Sequence, residues 1–359
     1  MKTLIIAEAG VNHNGDLDLA RRLIDSAAHS GADIVKFQTF RARSLASPSA
    51  EKAKYQFEGT SKGETQLRML EQLELPQSWH AELIEHSKDM GIRFASTAFD
   101  SASLDFLANL DLPFLKIPSG EITNSPLLLR FARTGQELIL STGMSRLGEV
   151  EEALATLAWG YSQESQPSGP DDIWQNWSVK SNRDSLLGKV TLLHCTSSYP
   201  APLESVNLNA LDTLRSAFGL PVGYSDHTQG QVASLAAVSK GASVIEKHFT
   251  LDRTMRGPDH KASLEPNELF EFVRAIRDIE IALGDGTKVP QASEFDTMQV
   301  ARQRLVAAEP IRAGQVFTEN NLTTSRSKSG ILPTQIWSLI GLMATKDYEA
   351  GEEIEIRSE

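Results

Sequence analysis

Short apolar runs rich in β-branched residues recur along the chain. Each is followed by a polar stretch and then by a segment with helical period, the βα alternation of a parallel sheet. Eight such runs occur, at 4–7, 34–37, 93–96, 114–117, 138–141, 190–194, 221–223 and 243–246. Between and after them the apolar spacing predicts helices at 17–30, 78–90, 102–110, 126–133, 148–159, 208–218, 230–240 and 266–283. Gly31, Gly91, Gly135 and Gly241 stand just past four of these helices, where a left-handed cap favours glycine. Eight repeats close into a (β/α)8 barrel more naturally than into an open sheet.

Two segments break the repeat. Residues 41–75 form a long charged insertion after the second strand, on the face where it can cover a site or meet a partner subunit. Residues 160–188, rich in Ser, Pro, Gly and Asn, precede the sixth strand and read as a surface loop on the opposite face. Beyond residue 285 the periodicity fades through Gly286 and Pro290, and short strand-like runs begin near Ala301. The division expected is a barrel over 1–285, a linker over 286–300 and a small β-rich domain over 301–359. Within the last, Ala308-Glu-Pro-Ile-Arg-Ala-Gly314-Gln-Val-Phe317 is echoed by Thr345-Lys-Asp-Tyr-Glu-Ala-Gly351-Glu-Glu-Ile354, the mark of a pseudo-twofold miniature fold.

Composition narrows the function. With 359 residues, 40% hydrophobic and 23% charged, the chain has ample material for a core. Its net charge of −12 repels nucleic acid and acidic membrane surfaces, so an anionic substrate needs a local basic pocket. The single cysteine, Cys195, rules out an intramolecular disulfide and a cysteine-based zinc site, and fits a reducing, cytoplasmic setting. The N-terminal apolar stretch ends at Glu8, too short for a signal sequence or membrane span.

In such a barrel the active site is built from the C-terminal ends of the strands. Here these ends are strongly polar: Glu8, Asn12 and His13; Lys36 and Gln38; Thr97; Lys116, Ser119 and Glu121; Ser141 and Thr142; Thr196, Ser197 and Tyr199; Ser225 and His227; Glu246 and His248. Any one could be ordinary solvation, and a strand-end lysine can simply pair with a nearby glutamate. Together Lys36 and Lys116, with the hydroxyls of Thr97, Ser119, Ser141 and Ser225, supply the charge and donors that a phosphate and carboxylate require, so a phosphorylated acid is the natural ligand. His227 and His248, on adjacent strand ends, can be two ligands of a divalent metal. With no cysteine ligand and much carboxylate and hydroxyl nearby, octahedral Mn²⁺ or Mg²⁺ suits them better than closed Zn²⁺. His194 and Cys195 read as core packing. Gly10-Val-Asn-His-Asn-Gly15 lacks dinucleotide-loop spacing and no P-loop pair follows it, leaving ATP and NAD without a site.

Several of these strings occur in an order that resembles one family. Ile6-Ala-Glu-Ala-Gly-Val-Asn-His-Asn-Gly15, Val35-Lys-Phe-Gln-Thr39, Lys116-Ile-Pro-Ser-Gly-Glu121, Ser141-Thr-Gly-Met144, His194-Cys-Thr-Ser-Ser-Tyr-Pro200, Tyr224-Ser-Asp-His-Thr228, Glu246-Lys-His-Phe-Thr250 and Gly257-Pro-Asp-His260 resemble the sialic acid synthases. The tail resembles their C-terminal SAF domain, an antifreeze-like β-clip, so the fold implied is an α/β TIM barrel with a small β-rich SAF domain. The resemblance implies metal-dependent condensation of phosphoenolpyruvate with N-acetylmannosamine or a related N-acyl-mannosamine, giving a nine-carbon 2-keto acid and phosphate. It also implies a domain-swapped homodimer. By carry-over, Lys36, Thr97, Lys116, Ser119 and Ser225 hold phosphoenolpyruvate, with Ser197 and Tyr199 close by, and His227 and His248 hold the metal. Glu8, Gln38, Glu121 and Asp259 lie around the sugar and reacting centre, and Arg326 holds the N-acyl group across the dimer.

Ser197 stands where some bacterial members carry Asn, and Thr196-Ser-Ser-Tyr199 and Gly120-Glu-Ile-Thr-Asn124 also resemble synthases of legionaminic acid. The 2,4-diacetamido-trideoxy acceptor therefore stands beside N-acetylmannosamine. Two readings from other classes stay open: a barrel aldolase forming a Schiff base through Lys116 or Lys36, and a non-catalytic carbohydrate- or ice-binding protein that uses the tail.

Overall fold

The computed structural model describes residues 2–53, 56 and 63–355, so part of the 41–75 insertion lies outside the described residues. The chain forms two compact units, Met1–Gly284 and Asp285–Glu359.

In the first unit eight parallel strands close into a barrel in sequence order. They are β1 (Leu4–Gly10), β2 (Ile34–Thr39), β3 (Arg93–Ala98), β4 (Leu115–Ile117), β5 (Leu138–Ser141), β6 (Val190–Cys195), β7 (Val222–Asp226) and β8 (Val244–His248). β8 pairs back on β1 to complete the ring, with Ile6 opposite Glu246 and Glu8 opposite His248. Several strands run one to three residues further toward the mouth than the apolar runs alone predict. That extension is where the apolar pattern turns polar.

Side chains alternate across each strand, so one set fills the barrel and the other packs under the helices. Ile6, Ile34, Ala95, Phe114, Ile139, Leu193 and Val244 form an apolar plug inside the barrel. Two positions further along each of these strands stands Glu8, Lys36, Thr97, Lys116, Ser141, Cys195 or Glu246. The polar layer is thus the next interior layer toward the mouth, resting on a dry floor. Gly223 belongs to the plug because only glycine fits: a Cβ there would lie 2.4 Å from the Val244 carbonyl oxygen and 2.7 Å from Leu193 Cδ2.

The outward-facing set packs beneath the surrounding helices. Leu17–His29 starts at Asp16, whose carboxylate accepts from the amides of Asp18 and Leu19, and buries Ala20, Leu23, Ile24 and Ala27. Pro266–Leu283 begins with proline in its first turn and buries Leu269, Phe272, Val273 and Ile276.

The segment 160–188 corrects the sequence expectation of a loop. It carries helices Pro170–Ser178 and Lys180–Asp184. Trp177 Nε1 donates to Glu151 on the helix Leu147–Ser162, and the buried Asn176 side chain accepts from Ser162, Gln163 and Asn182. Pro170 followed by Asp171 and Asp172 is a helix-start signature hidden by the polar composition around it. Within the 41–75 insertion, the helix Gln66–Leu73 buries Met69 and Leu73 against Val11 and Phe40.

The second unit pairs β9 (Gln303–Ala307) antiparallel with β10 (Leu322–Arg326). The helix Phe295–Ala301 stands where a linker was expected. The internal echo is structural: Ile311 and Tyr348 exchange backbone hydrogen bonds of 2.9 and 2.8 Å, and both are buried. Gly314 and Gly351 occupy equivalent left-handed turns, with φ of 81° and 83°. Their amides donate to the carbonyls of Ala344 and Ala307, each just before the other half of the repeat. Among the described residues no helix is long and apolar enough to cross a membrane.

Candidate active site

The polar layer opens into a cavity of about 320 Å³ at the C-terminal ends of the strands. It is lined by Glu8, Lys36, Gln38, Thr97, Lys116, Ser119, Ser141, Cys195, Ser197, Tyr199, Ser225, His227, Glu246 and His248, with Ala53, Phe99, Pro118, Gly120 and Met144 among the rim residues. Ala53 comes from the insertion, which therefore reaches the site.

Four charged side chains meet at its floor. Lys36 Nζ lies 2.5 Å from Glu8 Oε2 and 3.4 Å from Glu246 Oε2, and donates to Thr97 Oγ1 at 2.9 Å. Lys116 Nζ donates to Ser141 Oγ at 2.7 Å and to the Ile117 carbonyl at 3.3 Å. Ser225 Oγ donates to Glu246 Oε1 at 2.8 Å, and Gln38 Nε2 to Glu8 Oε1 at 3.0 Å. All four charged groups are buried, where a lone charge would be heavily penalised.

Their protonation follows from mutual placement. Burial opposes ionisation of Glu246, yet Lys116, Lys36 and the Ser225 hydroxyl overcome it and hold its carboxyl at about 2. Burial and the neighbouring Glu246 charge instead push Glu8 above the ordinary carboxylate range, despite the Lys36 contact. Burial also pulls on Lys36, but Glu246 and Glu8 keep its ammonium more basic than usual. Lys116 goes the other way, because burial outweighs the attraction of Glu246 and Lys36 repels it. The ionisation of the two carboxylates is thus driven apart, Glu246 downward and Glu8 upward.

The imidazole rings of His227 and His248 lie with centroids 5.5 Å apart, and Tyr199 packs 4.1 Å from the first and 5.7 Å from the second. His227 Nδ1 donates to the Thr196 carbonyl at 2.7 Å, which leaves the lone pair on Nε2. Burial holds both rings below their usual pKa, His248 further because His227 adjoins it. Neutral imidazoles with an outer hydrogen bond are the form that binds metals. His248 Nδ1 is buried without a hydrogen-bond partner, 3.8 Å from an Asp259 oxygen. No group of three or more His, Cys, Asp or Glu side chains with metal-binding geometry occurs among the described residues. Two imidazoles are what the described residues offer a cation, leaving its other positions for water or substrate.

Of the residues taken from the family resemblance, Glu121 and Asp259 are not among those lining the cavity, and Arg326 belongs to the other unit. Glu121 ends the single 3₁₀ turn Ser119–Glu121 and accepts from Asn124 Nδ2 at 2.6 Å. The turn keeps Ser119 at the wall and carries Glu121 away from it. Asp259 is buried beside His248, with its carboxyl raised to about 7 by burial and by Glu8. Arg326 belongs to the second unit, exposed at the end of β10 opposite Gln303.

Cys195 corrects the sequence expectation of core packing. It is buried but lines the cavity, its sulfur 3.2 Å from Ser119 Oγ. The period of two was the available signal, since Cys195 sits two residues before Ser197 on the inward face. His194, on the outward face, stacks on Tyr224 and meets the Val206 carbonyl at 2.7 Å. Glu246, named in the sequence only as a strand end, lines the cavity and meets Lys36 and Ser225.

Comparison with known proteins agrees with this geometry. Residues 23–288 match the NeuB family and residues 302–355 match the SAF domain. The N,N'-diacetyllegionaminic acid synthase of Campylobacter jejuni is 50% identical over 351 residues, spanning 98% of each chain. That of Legionella pneumophila is 43% identical, covering 98% of this chain and 93% of its own. A crystal structure of N-acetylneuraminic acid synthetase from Leptospira borgpetersenii in complex with citrate superposes with a TM-score of 0.67 at 34% identity, covering 83% of this chain and 90% of that one. With its barrel, its strand-end strings and its tail all matched, this chain belongs to the NeuB family and carries a SAF domain.

Proposed function

We propose that this protein condenses phosphoenolpyruvate with an N-acyl-mannosamine-type aldehyde, forming a nine-carbon 2-keto sugar acid and releasing phosphate. The acceptor is the 2,4-diacetamido-trideoxy sugar of N,N'-diacetyllegionaminate synthesis, in keeping with the two legionaminic acid synthases of 50% and 43% identity. The observation that carries the reaction is the convergence of two buried ammonium groups, five serine and threonine hydroxyls and two neutral imidazoles in one barrel-mouth cavity.

Lys36 and Lys116, with Thr97, Ser119 and Ser225, bind the phosphate and carboxylate of phosphoenolpyruvate. Carbon 3 of the enol attacks the aldehyde carbon, water adds at carbon 2, and phosphate leaves as its bond to that carbon breaks. His227 and His248 would hold a divalent cation, Mn²⁺ or Mg²⁺, which would supply Lewis acidity at the aldehyde. Glu246 stays ionised throughout and balances both lysines. Glu8, oriented by Gln38, takes the proton of the attacking water, because it alone of the two floor carboxylates is driven toward protonation. Asp259 supports His248, and Ser197 and Tyr199 face the acceptor. Arg326 contributes from the SAF domain of a second copy in a domain-swapped homodimer.

The test is phosphate release from phosphoenolpyruvate with each acceptor in parallel, with and without EDTA. Release that needs a divalent metal and favours the diacetamido sugar supports the reading; release with neither acceptor removes it. A Schiff-base aldolase is the second reading, favoured by the depressed basicity of Lys116. EDTA-resistant turnover together with a borohydride-trapped pyruvate adduct would establish it instead. His227→Ala is expected to stay folded and lose metal-stimulated turnover; wild-type turnover would contradict its place in the site.

A further inference from the structure

The site uses the side chains that alternate into the barrel from the ends of β7 and β8. The same strand ends send a buried acid and a buried base the other way. Asp226 and Lys247 stand directly opposite each other in the β7–β8 register, and each is 1% exposed. Lys247 Nζ lies 3.0 Å from Asp226 Oδ2 and donates to the Thr228 carbonyl at 2.5 Å. Asp226 Oδ1 accepts from the Thr228 amide at 2.8 Å, and Oδ2 from Ser234 Oγ at 2.6 Å. Ser234 sits on the helix Val232–Ser239.

Each member of this pair precedes one imidazole in sequence. Asp226 and Thr228 bracket His227, and Lys247 is followed by His248. The ammonium attached to one side of the imidazole pair therefore grips the chain on both flanks of the other. His227 is also held by its ring bond to Thr196, by packing on Tyr199, by Ser225 Oγ 3.4 Å from Nε2 and by its carbonyl accepting from the Ala201 amide. β7 ends at Asp226, so no further strand pairing fixes the His227 backbone against β8. Hydrophobic packing would serve the fold at this place at less electrostatic cost than a buried ion pair. An ion pair does what packing cannot, fixing the distance between two particular backbone points.

We infer that Asp226 and Lys247 are positioning residues that set the separation of the His227 and His248 rings and thereby the affinity for the divalent cation. This rests on the reading that the two imidazoles hold that cation. Neither residue touches substrate, and each acts through the histidine beside it.

The experiment is Mn²⁺ binding by the full chain, read from the electron paramagnetic resonance of free Mn²⁺ without substrates. The proteins are wild type, His227→Ala, Asp226→Asn, the double variant Asp226→Asn/Lys247→Met, and Ser234→Ala. For Asp226→Asn, at temperatures where circular dichroism shows it folded, the Kd for Mn²⁺ is expected to rise about 10- to 100-fold. Its turnover should half-saturate at correspondingly higher Mn²⁺ and recover when Mn²⁺ is saturating, with the phosphoenolpyruvate KM little changed. If Asp226→Asn does not fold, Ser234→Ala decides, with a smaller shift in the same direction. A pair that only stabilises the fold would lower the melting temperature and leave the Kd of the folded variant at the wild-type value; that result overturns the inference while leaving the cation site intact. Equal Mn²⁺ binding by wild type and His227→Ala overturns the cation site itself, and the inference with it.

Discussion

Gly143 offers the sharpest test of how closely the cavity wall is built. It lies between Thr142 and Met144 at the end of β5, and its amide donates to Ser119 Oγ at 3.0 Å. A methyl group there would lie 2.4 Å from Ser197 Oγ, 2.8 Å from Ser119 Oγ and 2.9 Å from Cys195 Sγ. Its φ does not require glycine, so the obstacle is space alone. To restore ordinary contact Ser197 Oγ must retreat by about 1 Å and the other two atoms by roughly half that, and since all three are side-chain ends lining the cavity, the strain falls on these groups rather than on the backbone. Overpacking of this kind costs about 1–3 kcal/mol, or a few degrees of melting temperature in a domain of this size. The larger effect falls on function. Ser119 and Ser197 are both cavity-lining hydroxyls, and a displacement near 1 Å in a positioning group costs about 100-fold in rate. Gly143→Ala is therefore expected to lose about two orders of magnitude in kcat/KM for phosphate release while remaining folded in thermal denaturation. Gly148→Ala is the control: nothing lies within 4 Å of its Cβ position, and alanine there favours the helix by up to about 1 kcal/mol. Wild-type kcat/KM in Gly143→Ala would refute the placement of these hydroxyls around the substrate.

Two further predictions concern the acceptor and the pH dependence of stability. Arg326→Ala is expected to raise the sugar KM far more than that for phosphoenolpyruvate, as loss of binding to one substrate requires; steady-state kinetics with each substrate varied in turn will show it, and an unchanged sugar KM removes Arg326 from the site. His13 is buried and held to about 4 by desolvation, partly offset by Asp16, with Nδ1 accepting from the Gly15 amide. Its folded pKa lies below its unfolded value, so its contribution is complete above about pH 6.5 and is lost as pH falls toward 4, by about 3 kcal/mol at most. His13→Asn should flatten the urea-denaturation stability profile across that window; an unchanged slope would show that His13 is not the residue being protonated.

The barrel was legible in the sequence because its determinants are local. Each apolar run, polar end and capping glycine is written within one βα unit, and eight of them leave little alternative to closure. The internal echo of the second unit was legible for the same reason, with Ile311 and Tyr348 meeting as the repeat requires. The strand-end lysines, histidines and hydroxyls could be named because the fold class says where strand ends go. Helix Pro170–Ser178 was missed because its few apolar residues sit among Ser, Pro and Asn, and its contacts with the helix Leu147–Ser162 decide its structure.

What only the tertiary structure decided was which neighbours each charged group would have. The sequence and its family resemblance put Glu8, Glu121 and Asp259 around the reacting centre and Glu246 at a strand end only, with no ground for choosing which of them manages a proton. Folding puts Glu246 beside Lys36 and within the field of Lys116, leaves Glu8 sharing Lys36 with it, and turns Glu121 toward Asn124. Ionisation in a buried site depends on distances of a few ångströms between residues far apart in the chain, such as the 3.4 Å between Lys36 and Glu246. The amino-acid order determined that a basic, hydroxyl-rich mouth would form. Closure of the barrel determined which of its acids is held ionised by two ammonium groups and which is pushed above the ordinary carboxylate range.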